Sequence, residues 1–203
     1  MCLISVCRKR GLSEEEINNG FEKNSDGAGF ARNTGKAVSY VKGFMSVDSF
    51  KEAYFGKKLN EMLPHIVHFR KTSGTNTIPG LTHPFIISEN SELSLQYKGC
   101  ESILFHNGTM SQWKEKMFNF YMQRGTKIPS GTFSDTRFIA ILTNYLGTGV
   151  LHLIDDKFVV VSPKKVSMIG KFTEEDGILF SNSTYKAGGY SYQNGEEFYW
   201  SSF

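Results

Sequence analysis

The segments of this chain that read as strands come in consecutive groups, and the segments that read as helices lie between those groups. That order argues against a parallel sheet built from alternating strand–helix–strand units. It predicts an α+β fold, with helices layered on antiparallel strands. Residues 3–7 (LISVC) read as a short buried strand. Ser13 and Glu16 stand at capping-box spacing with Leu12 and Ile17 placed as a hydrophobic staple, which predicts a helix running to about Lys23. NSDGAG (24–29) collects residues that tolerate unusual backbone angles and predicts a turn. Residues 29–33 and 37–43, with Gly35 between them, read as a hairpin. A helix capped by Ser46 is expected over 47–62, and a strand over 66–70 (IVHFR) that ends in a polar loop, 71–84. SLQY (94–97) and SILFH (102–106) read as further strands, and 111–124 carries a helical pattern. Ser134 is placed to cap a helix DTRFIAILTNYL that Gly147 stops. In the final third, KFVVV, KVSMI, ILFSN and EFYW read as β.

No linker, repeat or low-complexity stretch divides the 203 residues, a length that suits a single domain over 1–203 with a sizeable core. Hydrophobic residues make up 39% and charged residues 21%, which argues against global disorder. The net charge of +3 comes from scattered residues and short clusters such as Arg8-Lys9-Arg10, so neither nucleic acid nor an anionic membrane is expected as a partner. No apolar run approaches a membrane span. The N-terminus places its basic residues after its apolar stretch, the reverse of a signal peptide, so the expected compartment is the cytoplasm. There Cys2, Cys7 and Cys100 would be free thiols. They lack metal-ligand spacing, and no close-spaced Cys/His pairs occur, so neither zinc nor another metal or cofactor is expected.

Position 2 carries the most pointed chemistry. A small residue after Met1 permits removal of the initiator methionine, which would leave Cys2 with thiol and α-amine on adjacent carbons. A free α-amine titrates near ~8, so one residue could supply both nucleophile and base. By position alone, Cys2 is equally a buried cysteine at the start of a strand. Cys7, an odd interval away, should face the opposite side of that strand.

Cys2, NSDGAGFA (24–31), HFRKTSG (68–74), HPF (83–85), HNG (106–108) and SDT (134–136) follow one another in the order and approximate spacing found in class II glutamine amidotransferases. The sequence resembles that family of N-terminal-nucleophile hydrolases over residues 2 to about 140. FSNSTY (180–185) resembles the tail of its compact, stand-alone bacterial and phage members. The resemblance implies a four-layer αββα sandwich with the nucleophile at a strand end between facing sheets. It implies an enzyme in which Cys2 attacks the γ-carboxamide of glutamine, giving glutamate and ammonia. Arg70, with a hydroxyl from Thr72 or Ser73, would hold the substrate α-carboxylate, as a planar guanidinium suits. Asp135 would hold the α-ammonium; outside this context it is an ordinary acid in a helix's first turn. The Asn107 side-chain amide and the Gly108 N–H would form the oxyanion hole. Asp26, Gly27 and Gly29 would shape the loop beside the nucleophile. His68, His83 and His106 are read as supporting groups, since the α-amine replaces an imidazole base. His83 and His106 lie nearest the expected pocket, and His83 is counted with the substrate-binding set.

Two departures bear on substrate choice. Lys71 stands where many relatives carry an aromatic or aliphatic residue, and the TSG segment is short by about one residue. They keep open a hydrolase of a γ-glutamyl amide or peptide, and a catalytically silent binding module on the same fold is a further alternative. The expected ligand is a small molecule, glutamine or a γ-glutamyl compound. The C-terminal strands are needed by the core itself, which points either to a separate ammonia-accepting synthase chain or to a simple hydrolase.

Overall fold

The computed structural model describes residues 2–72, 74 and 77–187. Its fifteen main elements, in chain order, are β1 (Leu3–Cys7), α1 (Glu14–Lys23), β2 (Ala28–Asn33), β3 (Val38–Phe44), α2 (Val47–Gly56), β4 (His65–Phe69), β5 (Phe85–Ile86), β6 (Gln96–Gly99), β7 (Ile103–Asn107), α3 (Trp113–Arg124), α4 (Asp135–Leu146), β8 (Lys157–Val161), β9 (Val166–Ile169), β10 (Thr173–Glu175) and β11 (Ile178–Phe180). The strands form two sheets, one ordered β10-β11-β1-β4-β2-β3-β6 and the other β5-β7-β8-β9. All the pairings are antiparallel, as the grouped order of strands and helices implies.

Side-chain alternation sorts the core into three clusters. Leu3 and Cys7 of β1, Phe30 of β2 and Phe69 of β4 pack with Ile17 and Phe21 of α1 and Phe50 and Tyr54 of α2. The intervening residues Ile4, Val6, Ala31, Tyr40 and Ile66 turn to the other face. They meet Ile103 and Phe105 of β7 and Val159 and Val161 of β8. On the far side of the smaller sheet, Leu104, Phe158 and Val160 pack with Phe138 and Ile139 of α4, and with Trp113, Met117 and Phe120 of α3. Cys7 thus lies on the opposite face from Ile4, and burial pushes its thiol pKa up.

The caps fix where the helices begin. Ser13 Oγ accepts the Glu16 N–H, and the Glu16 carboxylate accepts the Ser13 N–H at 2.8 Å. Ser134 Oγ accepts the Arg137 N–H at 3.2 Å. The helix expected over 47–62 is shorter: α2 ends at Gly56, Lys58 adopts φ 50°, and a separate 3-10 turn, Leu59–Glu61, follows. Its apolar periodicity carries on because Leu59 still reaches the cluster around Phe50 and Tyr54, whereas the backbone leaves the helix at glycine. EFYW lies outside the described residues. Among those residues, no helix is long and apolar enough to cross a membrane.

Candidate active site

The antiparallel register Leu3↔Phe69 places the start of β1 against the end of β4, so Cys2 and Arg70 are brought together at one sheet edge. Cys2 is 7% exposed and, by parity with Ile4, faces the smaller sheet. The Lys71 N–H reaches its Sγ at 3.4 Å. Asn182 Nδ2 donates to the Cys2 carbonyl at 2.6 Å. β7 ends nearby in the HNG segment, and α4 begins with Asp135.

A cleft of about 240 Å³ collects most of the residues that the sequence singled out: Cys2, Arg70, Thr72, His83, His106, Gly108 and Asp135. Lys71, Trp113, Lys114 and Thr136 also line it. Ser73 lies outside the described residues. Asp26, Gly27 and Gly29 sit behind the wall and build it. The Asp26 N–H donates to the Arg70 carbonyl (2.9 Å), the Arg70 N–H to the Gly27 carbonyl (2.8 Å), and Asp26 Oδ2 accepts the Thr72 N–H (2.7 Å). Gly27 has φ +101°, and a Cβ at Gly29 would stand 2.2 Å from the His83 carbonyl oxygen, so both positions require glycine.

Asn107 is also set back from the cleft. Its Nδ2 donates one proton to Ser181 Oγ at 2.9 Å, and that oxygen accepts the Ile4 N–H at 2.8 Å. The amide carries a second proton. Asp135 lies in the cleft wall with Oδ2 accepting the Met110 N–H at 3.1 Å and Oδ1 accepting its neighbour's, Thr136, at 2.8 Å. The sequence reading assigned no role to Ser181, Asn182 or Asp156. The first two stand in FSNSTY, whose likeness to a family tail was their only signal.

Burial raises the Cys2 thiol pKa, while the Lys71 N–H and the Arg70 charge oppose that rise. The thiol therefore needs a base close at hand. The buried histidines are poorly suited to that task. Burial lowers His68 to about 3 and holds His83 well below its ordinary value, so both rings are neutral at pH 7. His68 Nε2–H donates to the His106 carbonyl (3.1 Å), which leaves His68 Nδ1 to accept from His83 Nδ1–H (3.2 Å). His83 Nε2 is then a bare acceptor, buried and without a partner among the described residues.

Comparison with protein-family models and with curated proteins finds no match. Among solved structures, the fold is similar to that of a glutamine phosphoribosylpyrophosphate amidotransferase from B. subtilis complexed with ADP and GMP, with a TM-score of 0.57 at 14% identity. The similarity covers 89% of this chain but 41% of that one, so this chain corresponds to well under half of the matched protein. The likeness is one of fold: a mixed α/β architecture with antiparallel sheets.

Proposed function

We propose that the chain is a hydrolase of the class II glutamine amidotransferase type, in which Cys2, freed by removal of Met1, cleaves the side-chain amide of glutamine. The observation that carries this reading is the meeting of Cys2, Arg70, Gly108 and Asp135 in one amino-acid-sized cleft, although 133 residues separate the first from the last. The three core clusters, with α1 and α2 outside the larger sheet and α3 and α4 outside the smaller, support a four-layer αββα sandwich with the nucleophile between the sheets.

In this mechanism the α-amine of Cys2 takes the thiol proton, and Sγ attacks the γ-carboxamide carbon. Charge that develops on oxygen meets the Gly108 N–H and the second Asn107 amide proton. The ammonium returns its proton to the departing ammonia as the C–N bond breaks. Water then hydrolyses the γ-glutamyl thioester to glutamate and regenerates the thiol. Arg70 and the Thr72 hydroxyl hold the α-carboxylate, and Asp135 the α-ammonium.

A second reading, cleavage of γ-glutamyl amides or peptides, is favoured by two cations at the cleft. Lys71 and Lys114 line it beyond the pair, Arg70 and Asp135, that free glutamine would neutralise. A leaving amine that carries its own carboxylate would meet them. Intact mass should show loss of Met1, and Cys2→Ala should abolish turnover while leaving the fold intact. Glutamine and γ-glutamyl dipeptides are compared as substrates of the purified chain, alone and with cell extract. Turnover that survives Cys2→Ala overturns the proposal. A preference for γ-glutamyl dipeptides over glutamine selects the second reading, and stimulation by a co-purifying enzyme identifies an ammonia-accepting synthase partner.

A further inference from the structure

Asp156 precedes β8 and enters neither the sequence reading nor the mechanism above, yet it touches both halves of the site. Its Oδ2 lies 3.0 Å from His106 Nε2, with the His106 side chain 1% exposed and that of Asp156 16% exposed. Its Oδ1 sits over Gly108 so closely that a Cβ there would come within 1.9 Å. His106 stacks on Phe158 with centroids 4.8 Å apart, which fixes the ring plane. On the other side of the ring, Nδ1 lies 3.0 Å from Thr136 Oγ1. Thr136 Oγ1 is also within donating distance of Asp135 Oδ1, at 3.3 Å, so His106 and Asp135 compete for its proton.

A carboxylate only accepts hydrogen bonds, so Asp156 requires the proton of His106 to be on Nε2. A ring with its single proton there offers Nδ1 as an acceptor, and the Thr136 hydroxyl donates to it. That hydroxyl has one proton. Given to His106, it is withheld from Asp135, whose Oδ1 keeps a lone pair for a ligand. With the proton on Nδ1 instead, His106 would donate to Thr136, and Thr136 would donate to Asp135. The carboxylate would then be partly consumed within the protein.

We infer that Asp156 is a positioning residue: it fixes the His106 tautomer so that Thr136 leaves Asp135 free to bind the substrate's α-ammonium. The inference rests on the amide-hydrolase reading above, and it predicts an effect confined to ligands that carry an α-amino group. Asp156→Leu removes the acceptor, whereas Asp156→Asn keeps an acceptor oxygen of nearly the same shape.

Two measurements test it. Nitrogen-15 NMR of the wild-type protein at pH 8 should show His106 singly protonated on Nε2, and the leucine variant should lose that preference. In steady-state kinetics, Asp156→Leu should raise KM for glutamine about tenfold, the scale of one lost charge-assisted hydrogen bond, and Asp156→Asn should restore most of it. Glutaramate, which lacks the α-amino group, should have its kcat/KM changed by less than about twofold, because Asp135 has nothing to bind there. A wild-type ring protonated on Nδ1, or on both nitrogens at pH 8, overturns the inference. So does an equal loss for glutamine and glutaramate in Asp156→Leu, which is the mark of a general structural defect. If the wild-type protein turns over neither compound, the proposed reaction fails instead, and the ring tautomer alone decides the role of Asp156.

Discussion

At the level of single residues, the division between chemistry and bracing is open to test. Asn107 is the clearest case, because one of its two amide protons is already committed to Ser181. With the second as an oxyanion donor, Asn107→Ala should lower kcat by about 10²–10³-fold with little change in KM. Ser181→Ala leaves the amide in place and should cost far less. Equal losses of kcat in the two variants, measured by steady-state kinetics, would reduce Asn107 to a brace. That Cys2, Arg70 and Asp135 would meet in one cleft was legible in the sequence, because thiol, guanidinium and carboxylate stand in motifs of recognisable order and spacing. Ser181, Asn182 and Asp156 were not. They act through hydrogen bonds to side-chain amide, backbone or ring groups 50 to 180 residues away in sequence, and any loop offers such groups. The geometric demand at Gly108 was equally hidden, since the carboxylate that requires glycine there belongs to Asp156.

Among the elements, α4 ties stability to the proposed site because its first residue, Asp135, lines the cleft and its cap, Ser134, is buried. Ser134→Ala should cost about 1 kcal/mol in stability and also weaken substrate binding, since the first turn holds the Asp135 carboxylate. Ser13→Ala at the start of α1 should cost a similar ~1 kcal/mol and leave KM unchanged, because α1 packs on the far face of the larger sheet. Denaturant melts and KM for both variants check this, and a KM shift in the α1 variant would break the distinction. These helices were readable because caps are local: Ser, then Glu or an apolar turn, then a stop. α2 overran in the reading because burial of Leu59 extends the apolar pattern past the glycine at which the backbone turns away. The two-residue β5 and three-residue β10 were missed because they are too short for a period-two pattern, and pairing with β7 and β11 defines them.

For the molecule as a whole, the buried bases set how stability depends on pH. His65, His68 and His83 are buried, and burial lowers them to about 4, to about 3 and well below the ordinary value, respectively. Between about pH 6.5 and 4 the unfolded chain binds protons at these positions and the folded chain does not. Stability therefore falls on acidification, by up to ~4 kcal/mol per pH unit where the unfolded-state histidines are all charged. Lys42 extends the same trend upward. It is 3% exposed, donates to the Pro84 carbonyl at 3.0 Å, and is lowered to about 7 by burial and then by the Arg137 charge. Above pH 7 the folded chain releases this proton while the unfolded chain, with an ordinary lysine near ~10.4, keeps it, so stability continues to climb. Beyond about pH 8.5 the Cys2 and Cys7 thiols reverse the slope, because burial keeps them protonated after their unfolded counterparts ionise. The expected profile rises from pH 4 to a maximum near about pH 8 to 9. Lys42→Met should flatten the segment from pH 7 to 8.5 and leave the acid limb unchanged. Urea unfolding at intervals across pH 4–9 measures both slopes, and a Lys42→Met profile that still climbs with the wild-type slope above pH 7 would show that Lys42 keeps its proton in the folded protein.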